Sequence, residues 1–308
     1  MRTAVVDIGS NSTRLLIADV ADGRVQTELD RRSTVTRLGA GVDVDGRLRE
    51  DAIQRVFAAL DDYKAEIDRR GCEHAVAVLT SAVRDSANGA EFAETVRERY
   101  GLEPHVLSGE EEARLTFLGA TSERDPGDAT PTLVFDIGGG STEMVIGAGH
   151  EVSFHVSTQA GVVRQTERHL HQDPPEESER RELTDDVRTI LADAVPPEQR
   201  QAVRHGIAVA GTATSLAAIA QDLEPYDPER VHGYELSADE CERILARLVR
   251  LPLAQRREVA GLHPDRAPTI IAGVLIFEQV LALFGLDRVE VSEHDILRGA
   301  ALGLLQNP

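Results

Sequence analysis

The stretch VVDIGSNSTRLLI, residues 5–17, returns 129 positions later as VFDIGGGSTEMVI, residues 134–146, with seven of thirteen positions identical. In each copy an apolar run ends in Asp, a turn of small residues follows, and a second apolar run of strand composition leaves it. Each copy reads as a β-hairpin with an acid at its mouth. Gly9 in the first and Gly138, Gly139 and Gly140 in the second carry no Cβ, so backbone N–H groups can turn inward toward an anion. Ser12, Thr13, Ser141 and Thr142 add hydroxyls. A carboxylate beside a phosphate, Asp7 or Asp136, repels it unless a divalent cation lies between them, so the pair implies Mg²⁺ or Mn²⁺. Two such hairpins call for two lobes.

The composition permits that. A chain of 308 residues with 41% hydrophobic content can bury a sizeable core, and its length suggests two domains. Asp7 interrupts the only early apolar run, so no leader peptide is expected. TIIAGVLIFEQVLALFG is broken by Glu278 and Gln279 and reads as a buried helix rather than a membrane span. Cys72 and Cys241 lack zinc or redox spacing, which suits core residues of a reducing compartment and a cytoplasmic protein. A net charge of −20 argues against nucleic-acid binding, which needs a basic face. Of 33 basic residues only Lys64 is a lysine and it stands in no glycine loop, so a Walker-type site is excluded and cationic phosphate contacts fall to Arg.

Strand signals continue through residues 24–38, residues 50–70 show helical spacing, and HAVAVLT (74–80) is a buried strand. The alternation that follows is α/β. SERDPGDATP, residues 122–131, is rich in turn formers, which puts the lobe boundary there: 1–122 and 123–308, with the last helix able to pack back on the first lobe. The second lobe carries a strand near 151–157, a helix from about 161, the strand and glycine turn of HGIAVAGTATSLAAIA, three further helical segments and the strand RVEVS.

Four more segments place phosphate-compatible groups at strand ends or helix starts. TSAVRD puts Thr80, Ser81 and Arg84 just past a buried strand, where Arg could hold a phosphate by two parallel bonds or simply pair with Asp85. In SGEEEARL, Ser108 is a helix cap, and Glu110, Glu111 and Glu112 in the first turn also suit the helix dipole. AGTATS (210–215) opens a helix after a strand. In GVVRQTERHL, Arg164 and Arg168 share a helix face. The hairpins differ where Arg14 faces Glu143: one lobe offers a cation, the other a carboxylate for metal or water, an asymmetry suited to phosphoanhydride hydrolysis.

Taken in order, DIGSNSTRLLI, TSAVRD, SGEEEARLTFLG, DIGGGSTEMVI, AGTATSLAA and VSEHDILRGA resemble the exopolyphosphatase and guanosine pentaphosphate phosphohydrolase (Ppx/GppA) family over residues 3–303. The resemblance implies two ribonuclease-H-like lobes of the actin, hexokinase and Hsp70 superfamily with an interlobe phosphate cleft. It implies Glu112 as general base, Asp136 and Glu143 as metal and water ligands, and Asp7 as a further metal ligand with Mg²⁺ or Mn²⁺. Asn11, Ser12 and Arg14 match the first phosphate loop, Arg84 a phosphate-binding arginine, and Gly138, Gly139, Gly140, Ser141 and Thr142 the second loop. The implied substrate is inorganic polyphosphate or guanosine pentaphosphate, with no nucleic-acid or membrane partner and a homodimer as a candidate assembly. The chain looks like a short, two-lobe member. It departs from the family's pattern at Pro268 and Arg298, where relatives would carry acids. A non-catalytic polyphosphate or alarmone sensor and a sugar kinase are the competing readings. The three acids Glu112, Asp136 and Glu143 favour an enzyme.

Overall fold

The computed structural model describes residues 1–304. Two compact units result: Met1–Ser122 together with the segment from His294 onward, and Glu123–Glu293.

In the first unit β1 (Arg2–Ile8), β2 (Ser12–Ala21) and β3 (Arg24–Val35) form an antiparallel meander. β4 (His74–Leu79) and β5 (Glu103–Val106) add in parallel on the other side of β1, giving the order β3-β2-β1-β4-β5. β1 is an unbroken buried run because both faces of the sheet are covered. Ala4, Val6 and Ile8 join Leu60, Phe92 and Val96 of the helices 50–70 and 89–100. Val5, on the opposite face, joins Leu16, Val78, Leu115 and Leu297. The period of two along the strand thus feeds two separate cores.

The second core needs helices Gly109–Thr121 and Ile296–Gly303 side by side. A Cβ on Gly119 would lie 1.9 Å from the Asp295 carbonyl oxygen, and one on Gly299 1.8 Å from that of Leu115. Only glycine lets these backbones touch.

The second unit repeats the plan. β6 (Thr132–Ile137), β7 (Thr142–Ala148) and β8 (Glu151–Thr158) form the meander. β9 (His205–Val209) runs parallel to β6, and β11 (Arg288–Ser292) parallel to β9. A short strand that periodicity did not reveal, β10 (Tyr234–Ser237), pairs antiparallel outside β11. Both sheets therefore share one order, a meander followed by two parallel strands, as expected of ribonuclease-H-like units. Among the described residues no helix is long and apolar enough to cross a membrane. Both thiols are free.

Helix Ile270–Phe284 buries eleven of its residues, which is what its apolar sequence demands. Glu278 lies within it. One of its carboxylate oxygens is buried without a hydrogen-bond partner, and burial, with Glu242 adding like charge, pushes its pKa up to about 7. An acid raised from 4.5 when folded opposes folding once it must ionise, so its penalty is absent below about pH 4.5 and grows as pH rises to about 7. Glu278→Gln should therefore raise the melting temperature at pH 8 and leave it nearly unchanged at pH 5, by thermal melts across that range. Equal shifts at both pH values would show that this carboxyl is not the cause.

Candidate active site

Both hairpin turns are closed by the same backbone bond. The Gly9 N–H donates to the Ser12 carbonyl at 3.0 Å and the Gly138 N–H to the Ser141 carbonyl at 2.9 Å. Behind each turn the strands pair Asp7 with Arg14 and Asp136 with Glu143, so these side chains share the face that meets the turn.

In the second turn the carbonyls of Gly138 and Gly139 accept the N–H groups of Val162 and Val163 at 2.9 and 2.8 Å, and Gly140 accepts Arg164 Nε at 3.1 Å. Trans peptides set N–H opposite the preceding carbonyl, so the amides of Gly139, Gly140 and Ser141 face away from helix Val162–His169. Successive backbone N–H groups turned to one side are the kind of arrangement that can receive an anion. The arrangement depends on Gly161, where a Cβ would fall 2.2 Å from the Gly140 carbonyl carbon. Sequence reading passed over Gly161, since a lone glycine before a helix is an ordinary boundary signal. Thr142 is buried and its hydroxyl donates to the Ala160 carbonyl at 2.6 Å; Thr13 likewise bonds Thr36 at 3.0 Å. These threonine hydroxyls hold the hairpins. Glu143 accepts from the Ser157 hydroxyl at 2.9 Å.

In the first unit the Arg14 guanidinium is engaged by two carboxylates. Nε and Nη2 donate to Asp7 Oδ2 at 2.9 and 2.6 Å, and Nη1 donates to Asp295. Arg31 lies 3.8 Å from Asp295 and pairs with Glu28 at 3.0 Å. Asp295 also caps helix Ile296–Gly303 by accepting the Leu297 N–H at 3.0 Å. Burial pushes the Asp7 pKa up, only partly offset by Arg14. Burial acts the same way on Asp295, but Arg14, Arg31 and the Leu297 amide outweigh it and hold that carboxyl below its usual range. Asp295 lay inside the quoted SEHDIL motif, yet its partner is 281 residues away and could not be read from spacing.

The three glutamates of SGEEEARL separate cleanly. Glu111 closes a capping box with Ser108: its carboxylate accepts the Ser108 N–H at 2.9 Å and hydroxyl at 2.8 Å, which lowers its pKa. Glu110 is exposed. Glu112 accepts Arg84 Nη1 at 3.2 Å, while the same nitrogen donates to the Leu107 carbonyl at 2.8 Å. The proposed base and the proposed phosphate-binding arginine are thus in contact. Elsewhere, Arg266 donates to Ser215 at 3.3 Å beside the AGTATS turn. Arg298 is buried between Glu28, at 3.2 Å, and His294, at 2.8 Å.

A divalent cation fits the donors present. Asp7 Oδ1 is buried without a hydrogen-bond donor, and an oxygen in that state suits a hard cation. In the second unit, taken by itself, Asp136 and Glu143 are cross-strand partners and offer carboxylate oxygens on one strand face.

The family model described as "Ppx/GppA phosphatase family" matches residues 16–307. The chain is 39% identical to Exopolyphosphatase 2 of Mycobacterium tuberculosis, covering 98% of each chain. It is similar to the crystal structure of the Aquifex aeolicus Ppx/GppA family member, with a TM-score of 0.85 at 34% identity over 100% of this chain and 99% of that one. An exopolyphosphatase structure from Cytophaga hutchinsonii superposes with a TM-score of 0.86 at 27% identity, over 99% and 98%.

The close packing of Gly161 gives a test. Gly161→Ala should displace the second turn from its supporting helix and cost about 1–3 kcal/mol, the usual price of overpacking. Thermal and denaturant melts would measure it, and an unchanged midpoint would mean the turn is not held as described.

Proposed function

Because the chain belongs to the Ppx/GppA phosphatase family, we propose that it is an exopolyphosphatase, a phosphoanhydride hydrolase releasing terminal orthophosphate from inorganic polyphosphate with Mg²⁺ or Mn²⁺. The observation that carries the mechanism is the Glu112–Arg84 contact at the ends of a strand and a helix whose neighbouring acids have other duties. Glu112 accepts a proton from water as the water oxygen bonds the terminal phosphorus. The bond to the bridging oxygen breaks, leaving orthophosphate and a chain one unit shorter. Arg84 offers N–H donors to the phosphoryl oxygens and, by its pairing, orients Glu112. The amides of Gly139, Gly140 and Ser141 bind phosphate oxygens, with Asn11, Ser12, Gly138 and Thr142 shaping the turns that present them.

In the second unit Asp136 and Glu143 would hold a cation, which when bound spreads phosphate charge and makes water more acidic, and in the first unit Asp7 offers a carboxylate oxygen of the same kind. Arg14, read from sequence as a phosphate ligand, is assigned instead to fixing Asp7 through its bonds to that carboxylate. The free thiols agree with a cytoplasmic setting. Guanosine pentaphosphate is the second substrate reading, carried by the family alone.

Purified protein with either metal should release orthophosphate from polyphosphate, faster than from guanosine pentaphosphate. Short chains should be cut at least as efficiently per end as long ones, with distributive release. A panel of short and long polyphosphate, pentaphosphate and ATP decides this, and phosphate release from none of them ends the proposal.

Glu112→Gln keeps shape but cannot take the proton, so turnover should fall about 10²–10⁴-fold with polyphosphate binding retained. Glu111→Gln should instead leave the rate near wild type and lower stability only slightly, since Gln retains the acceptor oxygen of the capping box and loses only a helix-dipole interaction of about 0.3–1 kcal/mol. Comparable rate losses in both would mean the base is misassigned.

A further inference from the structure

Among the described residues, four other than glycine have positive φ: Asp22, Arg37, Ala210 and Asp222. Aspartate tolerates the left-handed region in turns, so the two aspartates need no explanation. Arg37, at φ 50, does. The segment Thr36–Gly39 clasps the first glycine turn. The N–H groups of Thr36 and Arg37 both donate to the Asn11 carbonyl, at 3.0 and 2.9 Å, and Gly39 N–H donates to the Ser10 carbonyl at 2.8 Å. Successive N–H groups of an extended strand point to opposite sides, so two can converge on one carbonyl only if the backbone leaves the β region. That is the reason for the conformation at 37.

Nothing in this requires an arginine. Glycine would adopt the same conformation without the left-handed penalty. Thr36 and Leu38 on either side are fully buried, whereas Arg37 is exposed. Among the described residues its guanidinium has no hydrogen-bond or ion-pair partner, in contrast to Arg14, Arg31 and Arg84, which are held by carboxylates. A strained, unpartnered cation is therefore fastened by its own backbone to the turn that follows Asp7. The clasp accounts for the backbone conformation but not for an arginine in place of glycine, and strained non-glycine positions cluster at functional sites.

We infer that Arg37 is a substrate-binding residue, donating from its guanidinium to a phosphate of the polyanionic substrate at the first turn. The inference rests on the phosphohydrolase reading above and extends it to a residue outside the motifs. In a chain of net charge −20, a guanidinium not neutralised by its own protein is what a polyanion can recruit.

Arg37→Gly separates binding from folding, because it removes the guanidinium and relieves the backbone together. With inorganic tripolyphosphate and long-chain polyphosphate, KM should rise about tenfold, the effect of one charge-assisted hydrogen bond, with kcat changed by less than about twofold. The melting temperature should hold or increase. Arg37→Lys, which keeps the charge but not the planar fork, should recover part of the lost affinity. Unchanged KM in Arg37→Gly overturns the inference while leaving the phosphohydrolase reading intact. A rise in KM accompanied by a lower melting temperature also overturns it, since it would make Arg37 a structural residue. If the wild type turns over no polyphosphate, the functional reading fails instead. Calorimetric titration of tripolyphosphate into wild type and Arg37→Gly then decides this point: weaker binding by the variant supports it, equal binding or none rejects it.

Discussion

Arg14 is bonded to two buried carboxylates, and the first unit is organised around that fact. Asp7 comes from β1 and Asp295 from the start of the final helix, so one guanidinium ties the opening hairpin to the end of the chain. Burying two acids is costly unless a cation satisfies them, and losing that cation would leave uncompensated charge worth roughly 3–5 kcal/mol. The geometry that brings Asp295 to Arg14 is in turn set by Gly119 and Gly299, which let helix Ile296–Gly303 lie against helix Gly109–Thr121. Glu112 sits in the first turn of that second helix. The position of the proposed base and the state of the first-turn acid are therefore consequences of the same packing.

The two hairpins show how one backbone supports different chemistry. Strand pairing, the glycine-to-serine bond and the buried threonine are common to both. What differs is the residue across from the acid. Arg14 neutralises Asp7 directly. Glu143 across from Asp136 puts two carboxylates at one cross-strand position, where the first hairpin has an acid facing a cation.

Most of the fold was legible, because it rests on periodicity and duplication. The apolar runs of β1 and β6 and the helical spacing of 50–70 are local signals, and the structure places elements at them. Glu112, Arg84, Asp136 and Glu143 were also visible as chemistry at strand ends and helix starts. β10 was not, since four residues beside a strong helix signal carry too little pattern. Gly161, Asp295 and Arg37 were missed for one reason: each acts on a partner distant in sequence, the 138–140 turn, Arg14 and Asn11 respectively. Arg14 was identified as a site residue, but its two carboxylate partners were not. Spacing reveals which face a side chain occupies and says nothing of a carboxylate arriving from 281 residues away.

The charge balance adds a constraint that motif matching does not express. A chain of net charge −20 repels a polyanion at long range, with that repulsion screened over about 8 Å at physiological ionic strength. Its arginines near the candidate site are mostly consumed by acids: Arg14 by Asp7 and Asp295, Arg31 by Glu28, Arg84 by Glu112. On the reading proposed above, Arg84 meets phosphate with the donors its Glu112 pairing leaves over, and groups that carry no competing partner add to it. Backbone amides of the second turn meet that condition, because their carbonyls are spent on helix Val162–His169 and their N–H groups face the other way. A cation held by oxygen donors meets it too, and so does an arginine displayed without a carboxylate. Short-range, directional recognition of this kind selects phosphate by geometry at the turns, while the acidic surface around it discourages weak binding of polyanions elsewhere on the molecule.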